Sequence, residues 1–393
     1  MQIGLLGKAN VGKSTFFSAA TETAVAIGNY PFTTIEPNVG VTYVRTKCAC
    51  KHFGIEHKNP ACVDGVRLVP VKIIDVAGLV PGAHEGKGLG NKFLDDARQA
   101  DVLIHVVDIA GATDIQGQPV PPGTHNPLED VEFVENEFDQ WFMQILQREW
   151  QKLLREITQK TTTLVDGIAK RFSGLGVRDF LVFEVLKESN LVTKKPQEWT
   201  DSDILNFVVM LRKKTKPILV AANKADLCKD ISITNKIPGP VVLCSAESEL
   251  LLRKASKANL ISYIPGDSKF TLKGTPNSQQ KQALDLVSSV LSKIKTTGIQ
   301  DALNRAVFDT LKIITVYPVE DEAKLSNKDG IVLPDARLLT MGSTAKDLAA
   351  TIHADLAKAF LHAIDVKTKQ RIGADHQLKD GDVIKIVSAA SRG

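Results

Sequence analysis

Five short runs of the chain are apolar at every position but Lys72 and His105: Ile3 to Leu6, Val71 to Ile74, Val102 to Val107, Pro217 to Ala222 and Pro240 to Cys244. Each is bounded by charged or turn residues. Continuous apolarity, in place of an in–out alternation, predicts strands covered on both faces, as in a parallel sheet flanked by helices. The first run ends at Gly7, passes through a Gly- and Lys-bearing loop and enters KSTFFSAAT, so the chain opens strand, loop, helix. Between the third and fourth runs the period changes. Phe133, Phe138, Trp141, Phe142 and Ile145, then Leu153, Leu154 and Ile157, then Phe180, Phe183 and Leu186 recur at helical spacing, with a break near Phe172-Ser-Gly-Leu-Gly. This predicts a helical insertion over 128–214, a hairpin with extra helices, set into an α/β core made of 1–127 and 215–305.

After Ser245 a helix-rich stretch runs to about 305, with Leu284, Val287, Val290, Leu291 and Ile294 on one face. From 306 to 393 the pattern turns β-rich. LKIITVYPV and IVLP read as strands, TAKDLAATIHADL as a helix opened by a Thr344/Asp347 capping box, and His362 to Lys367 with DGDVIKIVS as further strands.

Composition adds boundaries. The 393 residues are 43% hydrophobic and 24% charged with 17 prolines, which excludes a disordered chain. No stretch is long and apolar enough for a membrane span, and the N-terminus lacks a secretory pattern, so a cytoplasmic location with no membrane partner is expected. Five cysteines make no disulfide framework. Cys48, Cys50 and Cys62 share a segment with His52 and His57, enough ligand chemistry for tetrahedral zinc. A Cys-x-Cys start with one distant Cys matches no standard finger, and a surface hairpin with free thiols is the plainer reading.

The chemistry begins at Gly7-Lys8-Ala9-Asn10-Val11-Gly12-Lys13-Ser14, which fits G-x-x-x-x-G-K-[ST] between a strand and a helix. In such a loop the amides from Ala9 to Thr15 curl round phosphates, Lys13 reaches the β and γ oxygens, and the Ser14 hydroxyl takes Mg²⁺. IIDVAGL ends the next run with Asp75 and Gly78 in D-x-x-G spacing. Asp75 can hold Mg²⁺ through water, and the Gly78 amide can sense a γ-phosphate. LVAANKADL places Asn223, Lys224 and Asp226 at a strand end. A carboxylate at Asp226 can accept from guanine N1–H and N2–H₂, which adenine lacks, for a preference of roughly 10⁴-fold. Asn223 would brace the loop, Lys224 would lie along the base, and Ser245-Ala246 would offer an amide to guanine O6. Four motifs in this order, each at a strand C-terminus, point to GTP.

These residues resemble the Obg superfamily of P-loop GTPases. Tyr30-Pro-Phe-Thr-Thr-Ile-Glu-Pro-Asn-Val-Gly40 resembles its switch I signature, and Asp75 to Asp101 its switch II, nearest to the YchF-like and Drg-like branches. The last 80 or so residues resemble a TGS domain, a β-grasp module found in proteins of translation. The resemblance implies an α/β fold: a P-loop GTPase core with a mostly parallel sheet, a helical insertion and a C-terminal TGS-like β-grasp domain. It also implies that Thr34 is the switch I ligand of Mg²⁺. YchF proteins that prefer ATP carry a Glu-ended base motif, so Asn-Lys-Ala-Asp implies GTP here.

A Ras-like enzyme positions water with a Gln after D-x-x-G; this chain has Leu79, which cannot. Slow intrinsic turnover, with Lys13, Thr34 and Gly78 carrying the catalysis and an effector stimulating it, is expected. Asn10 either helps hold a K⁺ beside the phosphates or only caps the loop. His84 is a further candidate base. The net charge of +4 is small, but 148–216 carries 14 Lys and Arg against nine Asp and Glu, and 249–305 nine against four. Such faces are either simply solvated or contact RNA phosphates. The expectation is a GTP/GDP switch acting on ribosomes; the alternatives are a nucleotide-stabilised RNA or protein scaffold and an ATP-preferring YchF-like ATPase.

Overall fold

The computed structural model describes residues 1–22, 38–76 and 96–389. The chain begins with β1 (Gln2–Leu6), α1 (Lys13–Thr21), β2 (Val39–Lys47), the short α2 (Cys50–Phe53), β3 (Cys62–Val63), β4 (Val66–Asp75) and β5 (Val102–Asp108). A helical segment follows, α3 (Pro127–Thr158), α4 (Leu164–Arg171), α5 (Asp179–Glu188) and α6 (Asp201–Thr215), before the chain returns to the sheet as β6 (Ile218–Asn223) and β7 (Val241–Leu243). Then come α7 (Ala246–Lys257), the small hairpin β8 (Ile261–Ser262) and β9 (Thr271–Leu272), α8 (Ser278–Ile294), and α9 (Ile299–Asn304), which runs into a π-helical turn at Arg305–Thr310. The C-terminal unit comprises β10 (Ile313–Val319), β11 (Arg337–Thr340), α10 (Ala345–Ile352), α11 (Ala354–Lys358), β12 (Phe360–Asp365), β13 (Gln370–Ile372) and β14 (Val383–Ser388).

The first sheet has the order β2-β4-β1-β5-β6-β7, with β3 added beside β4. β1 lies parallel to both β4 and β5, and β5, β6 and β7 continue in parallel, so the five apolar runs are neighbours. β5 is buried at all seven positions, the signature of a strand with helices on both faces. β2 and β3 pair antiparallel with β4 and make the edge. β2 is absent from the apolar pattern because its buried positions include Thr42, whose hydroxyl bonds to the Ala20 carbonyl.

α3 starts where the sequence supplies a start: Asn126 accepts from the Leu128 amide, Pro127 follows, and Glu129 and Asp130 fill the first turn. Its apolar face, with Phe138, Trp141, Phe142, Leu146 and Trp150, packs with Phe172, Val185, Phe207 and Leu211 into a core that reaches Leu6 and Leu103 of the sheet. Arg212, 1% exposed, ties α6 to α3 through Asp139 at 2.7 Å and Glu135 at 3.1 Å.

In the C-terminal unit a five-stranded sheet of order β11-β10-β14-β12-β13 is covered by α10. The Thr344/Asp347 capping box forms as expected, but the helix it opens stops at Ile352, and His353 caps a separate α11. IVLP is not a strand. It is a loop in which the buried Leu333 adopts φ 45°, and the strand beside β10 is β11 instead. The region after Ser245 is likewise broken by the β8–β9 hairpin. One hydrophobic cluster runs from Ile3, Phe16 and Val71 through Ile299 and Val307 to Tyr317, Val319, Leu333 and Val383, so the two sheets share a core.

Candidate nucleotide site

The parallel strands aim β1, β4, β5 and β6 the same way, and the candidate motifs follow their C-terminal ends. The 7–14 loop connects β1 to α1. Gly12 sits at φ 93°, and a Cβ there would lie 2.3 Å from the Asn223 amide nitrogen, so glycine is required twice over. α1 carries no side-chain cap and no acidic residue in its first turn, which leaves its leading amides and positive end for an anion. Ala9, Asn10 and Ser14 are exposed, Thr15 partly so, and Val11 packs into the core.

Lys13 and Asp75 form an ion pair across this loop. The pair sets the lysine of the phosphate loop beside the carboxylate that ends β4. Thr34 and Gly78 lie outside the described residues, as do Leu79 and His84.

Asn223 joins three loops. Its Nδ2 donates to the Val11 carbonyl at 2.9 Å, and its Oδ1 accepts from the Ala246 amide at 3.0 Å. These two bonds tie the base loop to the phosphate loop and to the start of α7. Lys224, at φ 59°, reaches the fully buried Asp108 at 2.9 Å, a pairing that the motif does not announce. Asp108 also accepts from Thr113 Oγ1 at 3.0 Å and from the Ala110 amide at 3.1 Å, which anchors the loop after β5. Lys293 of α8 donates to the carbonyls of Ala225 and Cys228 at 2.9 and 2.6 Å and so supports the base loop from behind.

Two findings bear on the base loop. Asp226 is exposed, so a bound base would have to cover it before the selectivity of a desolvated carboxylate applied. The Ser245 and Ala246 amides are already given to the Thr297 carbonyl at 2.9 Å and to Asn223, so neither points free toward a base.

Lys8 occupies a variable position of the loop motif. It is buried and binds Asp130 of α3 at 2.8 Å and the Thr113 carbonyl at 3.1 Å. His125 Nε2 shares Asp130 at 2.9 Å. Asn10 Nδ2 donates to the Gly117 carbonyl at 2.8 Å, which ties the phosphate loop to the loop after β5. Burial and the nearby Lys8 ammonium push His105 of β5 down to about 3, so it is neutral. The cysteine segment lies at the other end of β4: Cys62 pairs with Arg67 in register, whereas Asp75 closes the strand.

The basic surplus of the helical regions is partly spent internally. Arg171 pairs with Glu149 and Glu156, Arg212 with Glu135 and Asp139, Lys214 with Glu184 and Glu188, and Arg253 with Glu249. Lys152, Arg155, Lys160 and Lys170 remain exposed. Among the described residues no helix is long and apolar enough to cross a membrane.

Three family descriptions match along the chain: "50S ribosome-binding GTPase" over 2–147, "Obg-like GTPase YGR210-like, G4 motif-containing domain" over 221–321, and "TGS domain" over 330–388. A GTP-binding protein of Methanocaldococcus jannaschii is 47% identical over 99% of both chains, and one of Schizosaccharomyces pombe 37% identical over 89% of both. The ribosome-binding ATPase YchF of Bacillus subtilis is 27% identical over 97% of both. A solved GTP-binding protein of Pyrococcus horikoshii superposes with a TM-score of 0.78 at 40% identity, covering 99% of this chain and 100% of that one. The S. pombe YchF GTPase shares the fold, with a TM-score of 0.58 at 20% identity over 98% and 97% of the two chains.

Proposed function

Since the chain belongs to the Obg-like, YchF-related family of P-loop GTP-binding proteins, we propose that its loops read guanine and that its nucleotide state governs binding to ribosomal particles. The observation that supports the site assignment best is Asn223, whose two hydrogen bonds lock the phosphate loop, the base loop and the start of α7 into one frame.

In this reading the 9–15 amides and Lys13 hold the phosphates. Ser14, Asp75 and Thr34 hold Mg²⁺, which neutralises charge between the β- and γ-phosphates when bound. The donor set suits it: a hydroxyl at the uncapped helix end and a carboxylate that a lysine now keeps in place. Asp226 accepts from guanine N1–H and N2–H₂, Lys224 flanks the base with its charge fixed on Asp108, and the 245–246 turn closes the edge. Leu79 leaves the attacking water without a side-chain partner, so turnover is slow until an effector acts, with Gly78 and Thr34 responding to the γ-phosphate.

Curated relatives named as ribosome-binding ATPases suggest the ribosome as that effector and leave the base as the point to test. Titration with GTP, GDP and ATP should give a GTP preference, and Asp226→Ala should erase about 100-fold or more of it. Equal ATP and GTP affinity in the unaltered chain would overturn the guanine reading. Single-turnover hydrolysis with and without ribosomes tests the switch: no stimulation, with equal ribosome affinity in both nucleotide states, leaves only a binding scaffold.

A further inference from the structure

Cys48 at the end of β2, Cys50 at the start of α2, His57 in the loop beyond and Cys62 in β3 converge on one point, their ligand atoms all within 4.8 Å of one another. We propose that this Cys-x-Cys-x₆-His-x₄-Cys cluster is a structural zinc site that clasps the β2–β3 connection to the C-terminal unit. His52, the other histidine of the segment, is exposed and turned against Phe53, so it is not a ligand.

The spacing of the donors fits the ion. Tetrahedral zinc with Zn–S of about 2.3 Å and Zn–N of about 2.0 Å sets S···S edges near 3.8 Å and S···N edges near 3.5 Å. Cys50 Sγ lies 4.0 Å from Cys62 Sγ, and Cys48 Sγ lies 3.5 Å from His57 Nε2. None of the cysteines is in a disulfide, and 4.0 Å is twice an S–S bond. The contact between His57 Nδ1 and the Asn59 amide, 3.4 Å, is long enough to yield when metal at Nε2 places the ring proton on Nδ1. Four protein donors leave no open position, which marks a structural site and not a hydrolytic one.

A second observation is independent of the cluster's shape. Arg67, opposite Cys62 in the strand register, is 3% exposed, and among the described residues no carboxylate pairs with it. Its guanidinium donates to the carbonyls of Leu333 and Pro334, both at 3.0 Å, stands over the Tyr317 ring, and keeps a buried Nε without a partner. A buried cation needs a counter-charge. Three thiolates and one Zn²⁺ carry a net charge of −1, and Arg67 lies directly opposite the ligand Cys62 in the strand register. The metal centre would supply the missing anion. Asn59, inside the same loop, donates to the Leu333 carbonyl at 2.9 Å, so the hairpin that zinc would fix is the one that grips the C-terminal unit.

Elemental analysis of the full-length protein purified under reducing conditions should find one zinc per chain. Co²⁺ exchanged into that protein should give thiolate-to-metal charge transfer and the intense visible bands of a tetrahedral site. Cys62→Ser should lower the metal content to near none, while Cys228→Ser and His52→Ala, outside the cluster, should keep it at one. Zinc-free protein that takes up neither Zn²⁺ nor Co²⁺ in a chelator competition would overturn the proposal without any variant. So would a Cys50–Cys62 disulfide in the protein as isolated, or tight metal that survives Cys62→Ser.

Discussion

At the scale of the residue, the buried charges lie where the motif gives no hint of them. Lys8 occupies one of the four free positions in G-x-x-x-x-G-K-S, yet it is buried against Asp130. Lys8→Met should destabilise the fold by about 3–5 kcal/mol in denaturant titration, because the buried Asp130 carboxylate then loses its ammonium partner. His105 makes a pH prediction. Its value in the fold is about 3, against 6.5 ordinarily, so between those limits the unfolded chain binds a proton that the folded chain refuses. Stability therefore falls as pH drops from about 6.5 toward 3, and a His105→Gln variant should show a shallower loss over that window. The nucleotide loops themselves were legible in the sequence because phosphate and guanine chemistry demands fixed residues at fixed spacing, as with Gly12, Lys13 and Asn223. Lys8 and Asp108 were not, since their partners are brought close only by tertiary packing across 122 and 116 positions of chain.

At the scale of the element, strands with one buried identity were easy to read and mixed ones were not. β5 is buried throughout and its apolar run marks it almost to the residue. β2 buries Thr42 and Val44 and leaves Val39, Val41 and Tyr43 only half covered, so hydropathy does not separate its faces. IVLP carries the residues of a strand, but its carbonyls serve Arg67 and Asn59 instead of a ladder, a use that no local pattern can show. Helix starts were clearer, because caps are local. Thr344 accepts from the Asp347 amide, and Asp347 accepts from the Thr344 amide at 2.8 Å. Thr344→Ala should cost about 1 kcal/mol in thermal or denaturant unfolding, with the C-terminal unit losing amide protection first.

At the scale of the whole molecule, the separate units drawn from the sequence are joined more firmly than their patterns suggest. The cluster from Ile3 to Val383 is continuous, the Tyr317 hydroxyl donates to the Lys47 carbonyl at 2.9 Å, and Arg67 of β4 donates to the carbonyls of Leu333 and Pro334. Calorimetry should therefore record the first sheet and the C-terminal sheet melting in one transition; two well-separated transitions would mean that the shared core does not couple them. The root of α3 has a mechanical consequence. Its 32 residues make a rod about 48 Å long, held at its first turn by Lys8 of the phosphate loop. A tilt of about 5° at that root would swing the far end through about 4 Å. The phosphate loop thus sits at the short arm of a lever, where small displacements are multiplied into movements of the size of a side chain.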